Sequence, residues 1–221
     1  EKFERQVKKN SSTYWLIFEL LWRDFFKFVF LKYGNKLFKR GGIQRKNLDV
    51  ENSGEKFQAW IEGKTGYPMV DANMREIYQT GFMSNRGRQN VASFLVRDLK
   101  IDWRWGAEYF ESQLVDYDVC SNWGNWTYAA GDGNDPRQDR YFNVVGQGKR
   151  YDPEGDYLRL WLKELEKLTK KYIHEPWYLD PDLQKRYKVK IGKDYPSPIV
   201  TLKNNNRETS FAGKRKRRKK R

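Results

Sequence analysis

The chain has 221 residues, 33% of them charged and 16% aromatic, and a formal net charge of +15. That length and aromatic content suffice for one domain with a sizeable core, and the basic balance suits a polyanionic partner, although excess charge also serves solubility. A lone cysteine, Cys120, excludes an intrachain disulfide and is compatible with a reducing compartment, while a lone histidine, His174, without any CxxC pair argues against a structural zinc site.

Residues 1–13 are polar and predicted helical, ending near Asn10-Ser11-Ser12, with Ser11, Ser12 or Thr13 available to cap the next helix. That helix is predicted over residues 14–33. It is apolar almost all round, which argues for burial. Glu19, Arg23, Asp24 and Lys27 interrupt it and exclude a membrane span. Glu19 and Arg23 share a face with Trp15, Trp22 and Phe26 nearby, and read either as an ordinary i,i+4 ion pair on a core helix or as part of a site. Residues 34–55, with Gly41-Gly42, show no period and are predicted irregular. Phe57, Ala59, Trp60 and Ile61 open another packed element. Residues 65–68 form a turn, after which Val70, Met74, Ile77 and Tyr78 repeat at helical spacing as a core face.

Ser84 to Arg88 is a polar, glycine-containing turn. Asn85, Arg86, Arg88 and Gln89 then start a helix, whose free N–H groups attract anions, and Val91, Phe94, Leu95 and Leu99 line its apolar face. Trp103 and Trp105 follow Asp102, and Glu108, Tyr109, Phe110 and Leu114 continue a helix that stops before Asp116. Asp116 and Asp118 would lie on different faces of a helix, so a loop is predicted there. Two carboxylates suggest acid–base work or a metal, but the other ligands of a metal are absent. A catalytic thiol would need a histidine beside it, so Cys120 reads as a small packing residue. Asn122 reads as a turn residue between Ser121 and Trp123, or as a functional amide. Trp103, Trp105, Trp123, Trp126 and Tyr128 surround these groups. Indoles, arginines, carboxylates and amides gathered this densely point to a planar aromatic ligand in an indole-rich pocket.

Residues 131–137 (GDGNDPR) are a turn and carry no GxGxxG fingerprint. Asp152-Pro153 supplies an N-cap and N1 pair for an amphipathic helix through Leu158, Trp161, Leu162, Leu165 and Leu168. The compact pattern ends after Trp177. Residues 180–221 show no period and are predicted to be a flexible extension. It closes on KRKRRKKR, eight positive charges whose removal leaves +7 on the rest. That run suits a nuclear-import signal, a nucleic-acid grip or a solvated tail. No alternating run argues for a sheet, so the fold class is all-α, with residues 1–179 as the compact part.

The blocks ELLWRDFF (19–26), KTGYPMVDANMREIYQTGFMSNRGRQ (64–89), SFLVRDLKIDWRWGAEYF (93–110), DYDVCSNWGNWTYAAGDGNDPR (116–137) and YDPEGDYLRLWL (151–162) resemble, in order, the flavin-binding domain of the photolyase/cryptochrome family, and most closely its DASH-type cryptochromes. The resemblance implies a multi-helix FAD-binding domain, truncated at its N-terminus. An α/β domain carrying an antenna folate, and the Ser/Thr-rich loop that holds the FAD pyrophosphate, are then expected upstream. FAD is the implied cofactor, and this piece alone is expected to bind it weakly. The implied activity is that of a deoxyribodipyrimidine photo-lyase: blue-light-driven repair of cyclobutane pyrimidine dimers, preferably in single-stranded DNA. A blue-light photoreceptor that signals without repair, and a non-enzymatic nucleic-acid-binding fragment, are the alternatives.

Residue by residue, the resemblance places Arg23, Phe82, Asn85, Arg88, Asp116, Tyr117, Asp118 and Asn122 around the flavin, with Arg88 pairing Asp116 and Asn122 facing flavin N5. An amide oxygen there accepts the N5–H without adding charge. Glu19 would hydrogen-bond the lesion, Trp22 and Tyr128 would flank it, and Asn85, Arg86 and Gln89 would form the rim. Trp126 and Trp103 match the inner two of three relay tryptophans. The outer one falls on Val50, so the relay is expected to be broken unless Trp60 or a nearby tyrosine takes its place. Expected partners are single-stranded or damaged DNA, with RNA as a further candidate, no membrane, and a monomeric state. The expected compartment is intracellular: the nucleus from the basic tail, or the chloroplast or mitochondrion.

Overall fold

A computed structural model describes residues 5–7, 11–45, 49–133 and 141–202. Among them the fold is helical, with a single isolated bridge between Ile191 and Tyr195. None of the described helices is long and apolar enough to cross a membrane.

Helix α1 (Ser11–Tyr33) runs into a 3-10 turn, Gly34–Phe38. After residues 49–53 come α2 (Gly54–Ile61), capped by Ser53, and α3 (Pro68–Thr80), which has Pro68 at its start and ends on left-handed Gly81. Helix α4 (Asn85–Ser93) is capped by Ser84 and passes into a π-helical turn, Phe94–Asp98. Helix α5 (Trp103–Gln113) is capped by Asp102, and α6 (Val119–Ala130) by Asp118. The capping oxygens satisfy N–H groups that the first helical turn leaves free. Helices α7 (Val144–Tyr151), α8 (Asp156–Trp161) and α9 (Pro181–Tyr187) complete the order. One core gathers Trp60, Val70, Met74, Ile77, Phe94, Leu95, Trp103, Phe110 and Trp126; a second gathers Leu158, Leu162, Leu165, Leu168, Ile173 and Tyr195.

Four expectations change. The all-round apolar α1 is not buried: it sinks Phe26 and Val29, but leaves Tyr14, Trp15, Leu16, Leu20, Leu21, Phe25, Phe28 and Leu31 exposed. It packs on α6 and the following 3-10 turn, and among the described residues its other side has no cover. The packing itself is tight, because a Cβ on Gly124 would lie 2.3 Å from the Phe26 ring. Tyr78 is exposed rather than core, since it sits about 80° round the helix from Val70. The helix placed at Asp152-Pro153 starts instead at Asp156, after left-handed Gly155. The Asp152 carboxylate still meets helix N–H groups, those of Tyr157 and Leu158 at 3.2 and 3.1 Å. The run also breaks at Trp161 into irregular turns that keep Leu162, Leu165 and Leu168 buried.

The largest change concerns residues 180–202, which are folded onto the body. Val189, Tyr195 and Leu202 are buried. Tyr195 donates its hydroxyl proton to Asp71 at 2.6 Å, Ile199 N–H donates to Thr65 O at 3.0 Å, and Tyr67 OH donates to Val200 O at 2.7 Å. Single anchors held by polar partners leave no hydrophobic period, so the sequence pattern is blind to them. The tail KRKRRKKR and residues 134–137 of the predicted turn lie outside the described residues.

Candidate functional site

The loop between α5 and α6 meets the loop that opens α4. Val115 N–H donates to Gly81 O at 2.9 Å, which brings the two loops together. Arg88 then ties them: its Nε donates to Met83 O at 2.8 Å, and its Nη2 lies 2.9 Å from both carboxylate oxygens of Asp116. The Asp116 side chain remains half exposed. Phe82, Val115 and Val119 are exposed beside it as an apolar rim. Tyr117 turns toward Glu111 and Trp123, and burial pushes its hydroxyl pKa up.

Asp118 caps α6, accepting from Ser121 N–H at 2.8 Å. That bond, helped by Lys27 and Arg23 of α1, holds its carboxyl below the ordinary range. Cys120 beside it is pushed up by burial and by Asp118, which suppresses the thiolate. Asn122 lies in the first turn of α6, not in a turn between elements, and is buried. Its Nδ2 donates to Ala107 O at 3.0 Å, and among the described residues no group donates to its Oδ1. One turn on, Trp126 fits between α5 and α6 only because residue 106 is glycine: a Cβ there would meet the Trp126 ring at 2.3 Å.

The i,i+4 pairing of Glu19 with Arg23 is absent. Arg23 turns to its neighbour Asp24 at 3.1 Å, and Glu19 stands exposed with no polar partner among the described residues. Trp22, one turn on from Glu19, meets Tyr128 of α6 edge to face with 6.1 Å between ring centroids. Asn85 is exposed at the start of α4. Arg86 donates to Gln89 Oε1 at 2.8 Å and lies over the rings of Phe142 and Tyr151, at 5.9 and 5.0 Å. Arg150 covers Tyr151 as well, at 5.3 Å. Sequence reasoning missed Phe142, Arg150 and Tyr151. The run Lys149-Arg150-Tyr151 is a basic–aromatic signal that could have found the last two.

Asp116, Asp118 and the free Asn122 Oδ1 offer acceptors from one short stretch, with exposed apolar side chains alongside. That acceptor set fits a flat ring system with N–H edges and a hydroxylated chain, as a flavin nucleotide has. Among the described residues no three of His, Cys, Asp and Glu gather as a metal would require. A sequence model described as the FAD binding domain of DNA photolyase matches residues 15–214. The chain belongs to that family. Its cofactor is therefore FAD, and the acceptors of this FAD-binding domain are suited to it.

Among curated relatives, a cryptochrome DASH of Synechocystis sp. is 61% identical over 202 residues, which are 91% of this chain and 41% of that protein. The crystal structure of a Synechocystis sp. cryptochrome matches with a TM-score of 0.88 at 58% identity, covering 97% of this chain and 44% of that one. That of a bacterial class III photolyase from Agrobacterium tumefaciens matches at 0.85 and 38%, covering 99% and 45%. The chain spans less than half the length of these relatives. Asp116 is half exposed and Phe82, Val115 and Val119 beside it are open to solvent. A rim this open covers little of a ligand's surface, so the FAD-binding domain as it stands is expected to hold FAD weakly, and gel filtration should strip flavin absorbance from it. A stoichiometrically yellow protein after filtration would contradict this.

Proposed function

We propose that this chain forms the flavin-facing and lesion-facing part of an enzyme that splits cyclobutane pyrimidine dimers in light, preferably in single-stranded DNA. The observation that carries this reading is the Trp22–Tyr128 pair, two half-buried rings on the same α1–α6 contact as the acceptor stretch, with exposed Glu19 one turn away. Two flat side chains suit the faces of extruded bases, and a free carboxylate suits their N–H edge. The photolyase among the structural relatives supports the chemistry, and the cryptochromes support the flavin.

Reduced FAD supplies the light absorption and the electron that dimer splitting needs. Asp116, held by Arg88, and Asp118 orient the bound ring, and Asn122 Oδ1 accepts a ring N–H. Arg86, steadied between Phe142 and Tyr151, and Gln89 face the nucleic acid beside Asn85. Extrusion from a single strand costs less than from a duplex, which favours the single-stranded substrate.

The test uses flavin-loaded protein of the relatives' full length that includes this chain. Blue light should remove dimers from an oligonucleotide, faster in single than in double strands. Glu19→Ala should lower repair with flavin content unchanged, because loss of one charge-assisted hydrogen bond is worth ~1.5–3 kcal/mol, on the order of tenfold or more. Flavin binding without dimer loss would favour a photoreceptor instead.

A further inference from the structure

We propose that α9, with the turns on either side of it, carries a second contact surface for single-stranded DNA: a tyrosine platform edged by free cations, which grips the strand whether or not it holds a lesion. Its centre is Tyr172 and Tyr187, two partly exposed rings that meet at 6.2 Å with a 58° tilt. Both pack against the second core, which fixes them from below. Lys171 Nζ lies 4.9 Å from the centre of the Tyr172 ring, and the Arg186 guanidinium 6.0 Å from that of Tyr187. Lys188, Lys190 and Lys193 follow, all exposed.

These lysines do not ride on a loose loop. Lys188 ends α9 in the left-handed region, at φ 55°, and its N–H returns to Gln184 O and Lys185 O. Gln184 Oε1 accepts from Ile191 N–H at 3.0 Å, and the Asp194 carboxylate accepts from Lys190 N–H at 2.8 Å. Buried Val189 and Tyr195 anchor the turn at both ends. The charges are free as well as placed. Lys170 is taken by Glu154 at 3.0 Å and Lys185 by Asp182 at 3.7 Å. Lys171, Arg186, Lys188, Lys190 and Lys193 pair with no carboxylate among the described residues. The other acid of α9 lies at its opposite end, where Asp180 caps the helix through Leu183 N–H.

Cations alone would attract any polyanion. The rings between them select among polyanions, because a tyrosine face stacks on a base only where that base is not already stacked in a duplex. An acidic peptide supplies charge without flat faces to match. The pairs Lys149–Glu175 and Lys170–Glu154 fasten the platform's turn to the stretch that bears Arg150 and Tyr151. A strand held at that rim therefore has a second holding point on the neighbouring segment. The platform goes beyond the repair reading and does not depend on it.

The experiment measures binding of a labelled, dimer-free oligo(dT) to flavin-loaded protein of the relatives' full length that includes this chain. In Lys171→Gln/Arg186→Gln/Lys190→Gln, affinity should fall roughly tenfold or more at low salt, and the slope of log affinity against log salt should shrink by about 2, at ~0.7 for each lost phosphate contact. Tyr187→Leu keeps an apolar side chain but loses the flat face, so affinity should fall roughly fivefold or more with the slope unchanged. Bromouracil placed in the strand should crosslink under light to the peptide that holds Tyr172 or Tyr187, located by mass. Light-driven splitting of a dimer dinucleotide, too short to reach the platform, should be the same in these variants as in wild type. If the repair reading fails, wild type splits no dimer while the binding changes remain. Wild-type affinity and slope in the triple variant, with crosslinks confined to the rim or to the basic tail, overturn the platform. So does a loss of affinity there without a change of slope, which reports a disturbed fold rather than lost charge. Binding confined to oligo(U) assigns the surface to RNA and overturns the proposal as well.

Discussion

Asp71→Ala is expected to be among the most destabilising single substitutions in the protein, costing about 3–5 kcal/mol, because one carboxylate organises two distant parts of the chain. Asp71 is fully buried. It accepts from Thr65 N–H at 2.7 Å, Thr65 Oγ1 at 2.6 Å, Gly66 N–H at 3.0 Å and Tyr195 OH at 2.6 Å. Burial raises its pKa, and the hydrogen bonds from Thr65 and Tyr195, with the nearby Arg75 charge, act against that rise. Alanine would leave three or four buried donors without an acceptor, each costing roughly 1–3 kcal/mol less whatever water recovers. A total of about 3–5 kcal/mol is a large share of the ~5–15 kcal/mol that holds a domain. Tyr195→Phe removes one donor and keeps the ring, so it should cost only about 1–2 kcal/mol. Urea unfolding followed by tryptophan fluorescence would read both variants. The idea fails if Asp71→Ala costs no more than Tyr195→Phe.

That hub also shows what was legible in the sequence. The all-α class and the helix starts at Asp102 and Ser84 could be read, because caps and 3.6-residue spacing are local. The density of indoles, amides and carboxylates in 116–128 could be read as well, and the fold joins that stretch to α4 through Arg88 and Asp116. The docking of residues 189–202 could not, because a lone tyrosine hydroxyl on a carboxylate 124 positions earlier leaves no local trace. Exposure along α1 was invisible for a different reason: an apolar face says that it wants cover, not that the cover lies in the same chain. Arg23 likewise had two acidic neighbours within reach, and spacing alone could not choose Asp24 over Glu19. The ring contacts of Arg86 depend on residues more than fifty positions away and emerge only from packing.

Arg88→Met should cost the flavin far more than it costs the fold. Asp116 is half exposed, so in the unliganded chain water screens its pair with Arg88, and such pairs contribute ~0–1 kcal/mol. Unfolding of the variant should therefore shift little, even though methionine also removes the hydrogen bond to Met83 O. In the proposed flavin-bound state the same carboxylate is covered, and no other cation pairs with it among the described residues. Losing the guanidinium then leaves a buried charge unpaired, worth about 2–3 kcal/mol in the bound state, or roughly 30–150-fold in flavin affinity. Lysine should rescue poorly, because one ammonium cannot reproduce the fixed fork that serves Met83 O and Asp116 together. Asp116→Asn should recover part of the affinity in the Arg88→Met background by removing the unpaired charge. Flavin titration of protein of the relatives' full length, read by fluorescence quenching, measures all three variants. Wild-type affinity in Arg88→Met, or a stability loss as large as the affinity loss, would show that Arg88 supports only the fold.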